Sequence, residues 1–183
     1  MNKKPFIVSI AAVSGGGKTT ITNQLIENLP ESEALYFDDY EFEGAPSNLV
    51  KWVHDGANYN VWILTPLVHD IQSIIEREQV KYLILDFPFA YLNEQMKTYI
   101  DLAIYIDTPL DVALARRMVR DFEGQTVSEV MGDLKFYLKY GREAFWAMEY
   151  VKENSDMIVD GTKPLEVLVN VILEKLESKV NTV

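Results

Sequence analysis

One short stretch constrains this chain more than any other. Ser14-Gly15-Gly16-Gly17-Lys18-Thr19-Thr20 lies between the apolar run FIVSIAAV (6 to 13) and a segment in which Ile21, Leu25 and Leu29 recur at every fourth position. A short continuous apolar run reads as a strand covered on both faces, and the fourfold repeat reads as the inner face of a helix. Glycines at such a junction allow backbone angles closed to other residues, so successive N–H groups can converge on an anion at the positive end of the helix. Ala12 to Thr19 fits the phosphate-binding P-loop spacing, with alanine in place of the first glycine. In that pattern Lys18 reaches the β- and γ-phosphates and the Thr19 hydroxyl ligates magnesium, while Ser14, Gly15, Gly16, Gly17 and Thr20 complete the cradle. The expected ligand is a nucleoside triphosphate.

Four more apolar runs follow: ALYF (34 to 37), YLIL (82 to 85), LAIYI (102 to 106) and MIV (157 to 159). Helical stretches separate them. Leu165, Leu168, Val169, Ile172, Leu173 and Leu176 form one broad apolar face, and Thr108-Pro109-Leu110-Asp111 predicts a helix start that runs on through Arg120. The alternation predicts an α/β fold of the P-loop NTPase type, a three-layer doubly wound domain with a five-stranded, mainly parallel sheet. Each of these four runs is followed by aspartate: Asp38, Asp86, Asp107 and Asp160. In an open parallel sheet the carboxyl ends of the strands share one edge, so these residues are expected beside the glycine loop. For Asp107 and Asp160 helix capping is the stronger reading, because Thr-Pro and Gly-Thr-Lys-Pro follow them.

Composition narrows the function. At 183 residues and 48% hydrophobic, the chain can bury one good core, and one domain is expected. A net charge of −11 argues against a protein that grips a nucleic acid polymer, which needs clustered lysine and arginine. The chain has no cysteine, which excludes disulfides and Cys-ligated zinc. The basic start MNKK leads into an apolar stretch of about eight residues that runs into the glycines without a cleavage context, and no run approaches the roughly 18 to 20 residues of a membrane span. The expectation is a cytoplasmic protein with no membrane partner; a homodimer stays open. His54 and His69 have no second ligand at metal spacing, so no metal site is assigned to them.

A P-loop serves G proteins, motor-type ATPases and small-molecule kinases. No Asn-Lys-x-Asp guanine-reading stretch follows, and the length leaves little room for mechanical modules. A kinase needs a carboxylate on the metal side, a base near the acceptor hydroxyl and arginines over the phosphates. Asp86, closing YLILD, suits the first role, and Asp38, in YFDDY, suits the second. Arg116, Arg117 and Arg120 suit the third, although a solvated helix face and a solvated turn are the plain alternatives for the arginines and for Asp38-Asp39. Tyr36, Tyr40, Trp52, Tyr59 and Trp62 serve either to stack on a base or to fill the core.

SGGGKTT, LPESEALYFDDY, IDLAIYIDTPLDVALARRMVRD, YLKYGREAF and DMIVDGTKPLEVL, in this order, resemble the uridine kinase and nicotinamide riboside kinase group of P-loop nucleoside kinases. The resemblance implies a single P-loop kinase domain over 1–183, with a lid at about 116–130, that uses ATP and Mg²⁺ to phosphorylate a nucleoside or similar small metabolite. It implies Asp38 as catalytic base, Lys18, Arg117 and Arg120 as catalytic cations, Arg116 on ATP, Thr19 and Asp86 on the metal, and Asp38, Tyr40, Tyr59 and Asn60 on the acceptor. There are departures. Glu123-Gly124-Gln125 stands where uridine kinases carry an arginine-glycine-arginine lid element, which leaves Arg142 as a candidate substitute. IIEREQVKYLILD leaves no room for the hairpin that reads uracil, Asn60 replaces an aspartate that grips ribose, and Asp86 stands where glutamate is usual. These departures keep a second reading open, a nucleotide-binding regulatory protein with weak or no phosphotransfer.

Overall fold

The computed structural model describes residues 4–145 and 147–180, so most of the basic start lies outside the described residues. Five strands, β1 (Phe6–Ala11), β2 (Ser32–Tyr36), β3 (Tyr82–Asp86), β4 (Leu102–Asp107) and β5 (Met157–Asp160), pair in the order β2-β3-β1-β4-β5. Every neighbouring pair is parallel, with Ile10 level with Asp86 and Ile104, and Tyr36 level with Asp86. The helices are α1 (Lys18–Asn28), α2 (Leu49–His54), α3 (Thr65–Arg77), α4 (Glu94–Lys97), α5 (Leu110–Asp121), α6 (Val127–Phe136), α7 (Arg142–Ala144), α8 (Ala147–Glu153) and α9 (Leu165–Val180).

The continuous apolar runs are explained by the layers. Along β1, Ile7 and Ala11 face one core while Val8 and Ile10 face the other, the period of two that a strand imposes. On one side Ile21 and Leu25 of α1 join Leu168, Val169, Ile172 and Leu176 of α9. On the other side Leu67, Ile71 and Ile74 of α3 join Val151 of α8 and an aromatic group that includes Trp62, Phe87 and Phe89. Each fully buried aliphatic side chain contributes about 1.5–3 kcal/mol, so burial on both faces holds the sheet between its helices. Among the described residues no helix is long and apolar enough to cross a membrane.

The structure departs from the sequence reading in two places. The second run does not continue through Phe37: β2 ends at Tyr36, and Phe37–Asp39 forms a 3₁₀ turn. Phe37 turns inward onto Phe42 (ring centroids 4.7 Å apart) and Phe89 (5.3 Å), which leaves Asp38 exposed at the sheet edge. Between β4 and β5 the helix expected from Thr108 through Arg120 is followed by three more, α6, α7 and α8. Helix α6 starts at a capping box, in which the Thr126 and Glu129 side chains each bond the other's backbone N–H, and it continues through a π-helical segment, Tyr137–Gly141, into α7.

Candidate active site

The glycine loop follows β1, and its shape depends on the absence of side chains. Gly15 has φ +79°, and a Cβ there would lie 2.2 Å from the Ala113 carbonyl oxygen, so the loop seats directly on the backbone of α5. Gly17, at φ +102°, occupies the left-handed position before α1. No acceptor among the described residues takes the amides of Gly17 and Lys18. Amides of this kind at a helix N-terminus bind anions.

A cavity of about 590 Å³ opens over this loop. Ser14, Gly15, Gly16, Gly17, Lys18, Thr19 and Thr20 form one wall; Asp38, Arg116, Arg120, Gly161 and Lys163 stand around it, with Leu165 and Leu168 behind. The glycine loop, Asp38, and Gly161 with Lys163 follow the carboxyl ends of β1, β2 and β5, where a parallel sheet gathers a ligand site, and α5 and α9 supply the arginines and leucines. Asp86 closes β3 beneath the loop and is 5% exposed, and its Oδ2 accepts a 2.6 Å hydrogen bond from the Thr19 hydroxyl. Burial holds the Asp86 carboxyl above its ordinary range, the charge of Lys18 and the Thr19 bond act against this, and Asp38 and Asp39 add to it. Among the described residues no cluster of three or more His, Cys, Asp or Glu could hold a metal ion alone. One carboxylate and one hydroxyl beside a phosphate cradle are nonetheless an oxygen donor set that fits Mg²⁺, which takes its remaining ligands from phosphates and water.

The three arginines separate. Arg116 and Arg120, four residues apart, share a helix face and both line the cavity. Arg116 donates to the Gly161 carbonyl at 3.5 Å. Arg120 holds Asp121 through Nε at 2.6 Å; that hydrogen bond first, with the charges of Asp121 and Asp38, keeps its guanidinium above its ordinary pKa. Arg117 is one residue round the helix and turns away from the cavity. It makes a bidentate pair with Asp133 of α6, at 2.5 and 3.2 Å, with the two side chains 18% and 22% exposed. Arg117 therefore ties α5 to α6 and is not among the residues that line the cavity. Arg142 is exposed on α7 and lies outside the cavity wall.

Tyr59 is 7% exposed and its hydroxyl donates to the Ala147 carbonyl; its ring stands edge-on to Trp52 at 5.1 Å and to Phe89 at 5.3 Å. Asn60 uses its side-chain oxygen to accept from the Glu94 amide at 2.8 Å, and the buried Asn93 donates to the carbonyls of Tyr59 and Trp62. Tyr40 stacks on Phe42 and donates its hydroxyl to Asp70 at 2.8 Å. None of Tyr40, Tyr59 and Asn60 lines the cavity. Asp107 pairs with Lys152 at 2.8 Å, and Asp160 closes the turn before α9 by accepting from the Thr162 amide and hydroxyl.

Three residues at the site went unassigned in the sequence: Thr108, Gly161 and Lys163. The signal for Gly161 and Lys163 was their place directly after the fifth strand, on the same edge as the loop. Thr108 looked like a helix cap, but its hydroxyl donates to the Gly16 carbonyl at 2.9 Å and α5 begins at Leu110.

Comparison with known proteins agrees with this architecture. The sequence profile described as the phosphoribulokinase / uridine kinase family matches residues 65–163. A uridine kinase of Borrelia hermsii is 32% identical, over 84% of this chain and 85% of that protein. A uridine kinase of Staphylococcus epidermidis is 26% identical, over 96% of this chain and 97% of that protein. Among solved structures, an uncharacterized protein from Eubacterium ventriosum superposes with a TM-score of 0.56 at 12% identity, covering 96% and 99% of the two chains. Shikimate kinase from Aquifex aeolicus superposes with a TM-score of 0.50 at 16% identity, covering 95% and 98%. The structural likenesses speak for the fold; the sequence relatives go further. The chain belongs to the phosphoribulokinase / uridine kinase family and is a small-molecule kinase of the P-loop type.

Proposed function

We propose that this kinase transfers the γ-phosphoryl group of ATP to a hydroxyl of a nucleoside or a similar small metabolite. The observation that carries the proposal is the cavity itself, which Asp38, Arg116 and Arg120 line together with the glycine loop. In this reading Lys18 and the loop amides hold the phosphates, and the Asp38 carboxylate accepts the proton of the acceptor hydroxyl as that oxygen attacks. Arg116 and Arg120 balance the charge that accumulates on the transferred group, with Lys163 as a further cation at the same wall. Thr19 and Asp86 would hold Mg²⁺, which when bound would offset phosphate charge. The segment 116–130 would act as the lid, held as one unit by the Arg117–Asp133 pair.

The uridine kinases among the relatives support a nucleoside acceptor. The aromatic group around Trp52, Tyr59 and Trp62 packs on itself, so the acceptor would be held chiefly from the Asp38 side. The test is ADP formation with Mg-ATP, measured with and without each member of a nucleoside panel. Nucleoside-dependent ADP supports the reading; tight ATP binding with no stimulation by any nucleoside rules out a nucleoside acceptor.

A further inference from the structure

Thr108 is 4% exposed and lies at the crossing of three segments. Its hydroxyl donates to the carbonyl of Gly16 in the loop, its chain leads into α5, and Gly161 of the loop after β5 packs against it. The approach leaves no room for a side chain: a Cβ at Gly161 would lie 2.0 Å from the Thr108 Oγ1 and 3.0 Å from its Cβ. Gly161 is itself fixed, because its amide donates to the Asp107 carbonyl at 2.9 Å. The Thr108 hydroxyl is therefore held in place while it grips a buried carbonyl.

That carbonyl belongs to a peptide unit with a second end. The C=O of Gly16 and the N–H of Gly17 share one planar trans peptide, so the two point in opposite directions. Gripping the carbonyl sets the direction of the Gly17 N–H, one of the amides that no described residue accepts from. Gly17, at φ +102°, is anchored on its carbonyl side, where it accepts from the Ile21 amide at 3.0 Å, which leaves the direction of its N–H to the Gly16 end of the peptide.

We infer that Thr108 is a positioning residue for the phosphate cradle: its hydroxyl locks the Gly16–Gly17 peptide so that the Gly17 amide is already aimed when the nucleotide arrives. This rests on the proposed reading of the loop as the ATP site. Thr108→Val keeps the shape and removes the donor. The buried carbonyl then loses its partner, the peptide is free to rotate, and one hydrogen bond to a charged oxygen is misdirected. Thr108→Ser keeps the donor.

The experiment is equilibrium binding of Mg-ATP and of inorganic tripolyphosphate to wild type, Thr108→Val and Thr108→Ser, with a melting curve of each protein without ligand. Wild type is expected to bind both probes. Thr108→Val is expected to bind both about tenfold more weakly, the size of one such hydrogen bond, and Thr108→Ser to recover wild-type affinity. Thr108→Val binding as well as wild type overturns the inference, and so does Thr108→Ser losing as much as Thr108→Val. If Thr108→Val does not fold, Thr108→Ala takes its place with the same two outcomes. A wild type that binds neither probe overturns the reading of the loop, and the inference with it.

Discussion

Tyr59→Phe separates a core tyrosine from one that grips the acceptor. The tyrosine is 7% exposed, its ring contacts to Trp52 and Phe89 survive in phenylalanine, and the only group removed is the hydroxyl that donates to the Ala147 carbonyl. Loss of one buried neutral hydrogen bond, with its acceptor left unmatched, costs about 1–2 kcal/mol. For a chain of this size that is a fall of roughly 2–8 °C in Tm. Burial pushes the phenol up to about 12, with Tyr150 adding to the effect. From the ordinary value of 10 upward the unfolded chain loses this proton first, so between pH 10 and 12 the wild type loses the Tyr59 contribution on top of the loss that both proteins share through Tyr40, Tyr91 and Tyr105. The gap between the two is therefore full below pH 10 and narrows above it. The assays are thermal melting, urea unfolding across that pH range, and steady-state kinetics with an accepted nucleoside. An unchanged Tm together with a raised acceptor KM would refute the core assignment and return Tyr59 to the acceptor site.

Asp86→Asn is expected to raise stability at pH 7 while abolishing Mg²⁺-dependent transfer, because it removes a buried charge and keeps an oxygen for the Thr19 hydroxyl. Since the folded carboxyl titrates above its ordinary 3.8, this gain is present at neutral pH and fades as pH falls toward 3.8, which paired urea titrations at pH 7 and pH 4 would show. Asp133→Ala strands the Arg117 guanidinium, whose Nε is buried and already has no hydrogen-bond partner, and is expected to cost about 2–3 kcal/mol by urea unfolding. Asp121→Ala, whose partner Arg120 is largely exposed, should cost much less, and equal losses would count against the contrast between the two pairs.

The layered sheet and the glycine loop were legible because both rest on local patterns: apolar runs for strands buried on two faces, and a fixed spacing of glycines, lysine and threonine between strand and helix. Asp38 and Asp86 were legible by position, since strand ends in a parallel sheet collect on one edge. The directions of particular side chains were not. Arg117 sits in the same short segment as Arg116 and Arg120, and nothing in that segment announces that Asp133, on the next helix, claims it. Tyr59 and Asn60 looked like an acceptor grip, but their partners, Ala147 and Glu94, come from distant segments. Thr108 shows the same limit from the other side. Thr-Pro is a sound local cap signal, and the Gly16 carbonyl, brought close only by the sheet order, offered its hydroxyl a better-defined partner.

The most direct test of the account is acceptor-dependent ADP formation by wild type and Asp38→Asn, run with a nucleoside that wild type accepts. Asparagine keeps the shape at the sheet edge and cannot take up the proton. The account predicts a fall in kcat of about 10²–10⁴-fold, the usual scale of a general base, with the melting curve of wild type retained. A folded Asp38→Asn protein that transfers phosphate to the nucleoside at the wild-type rate would contradict it.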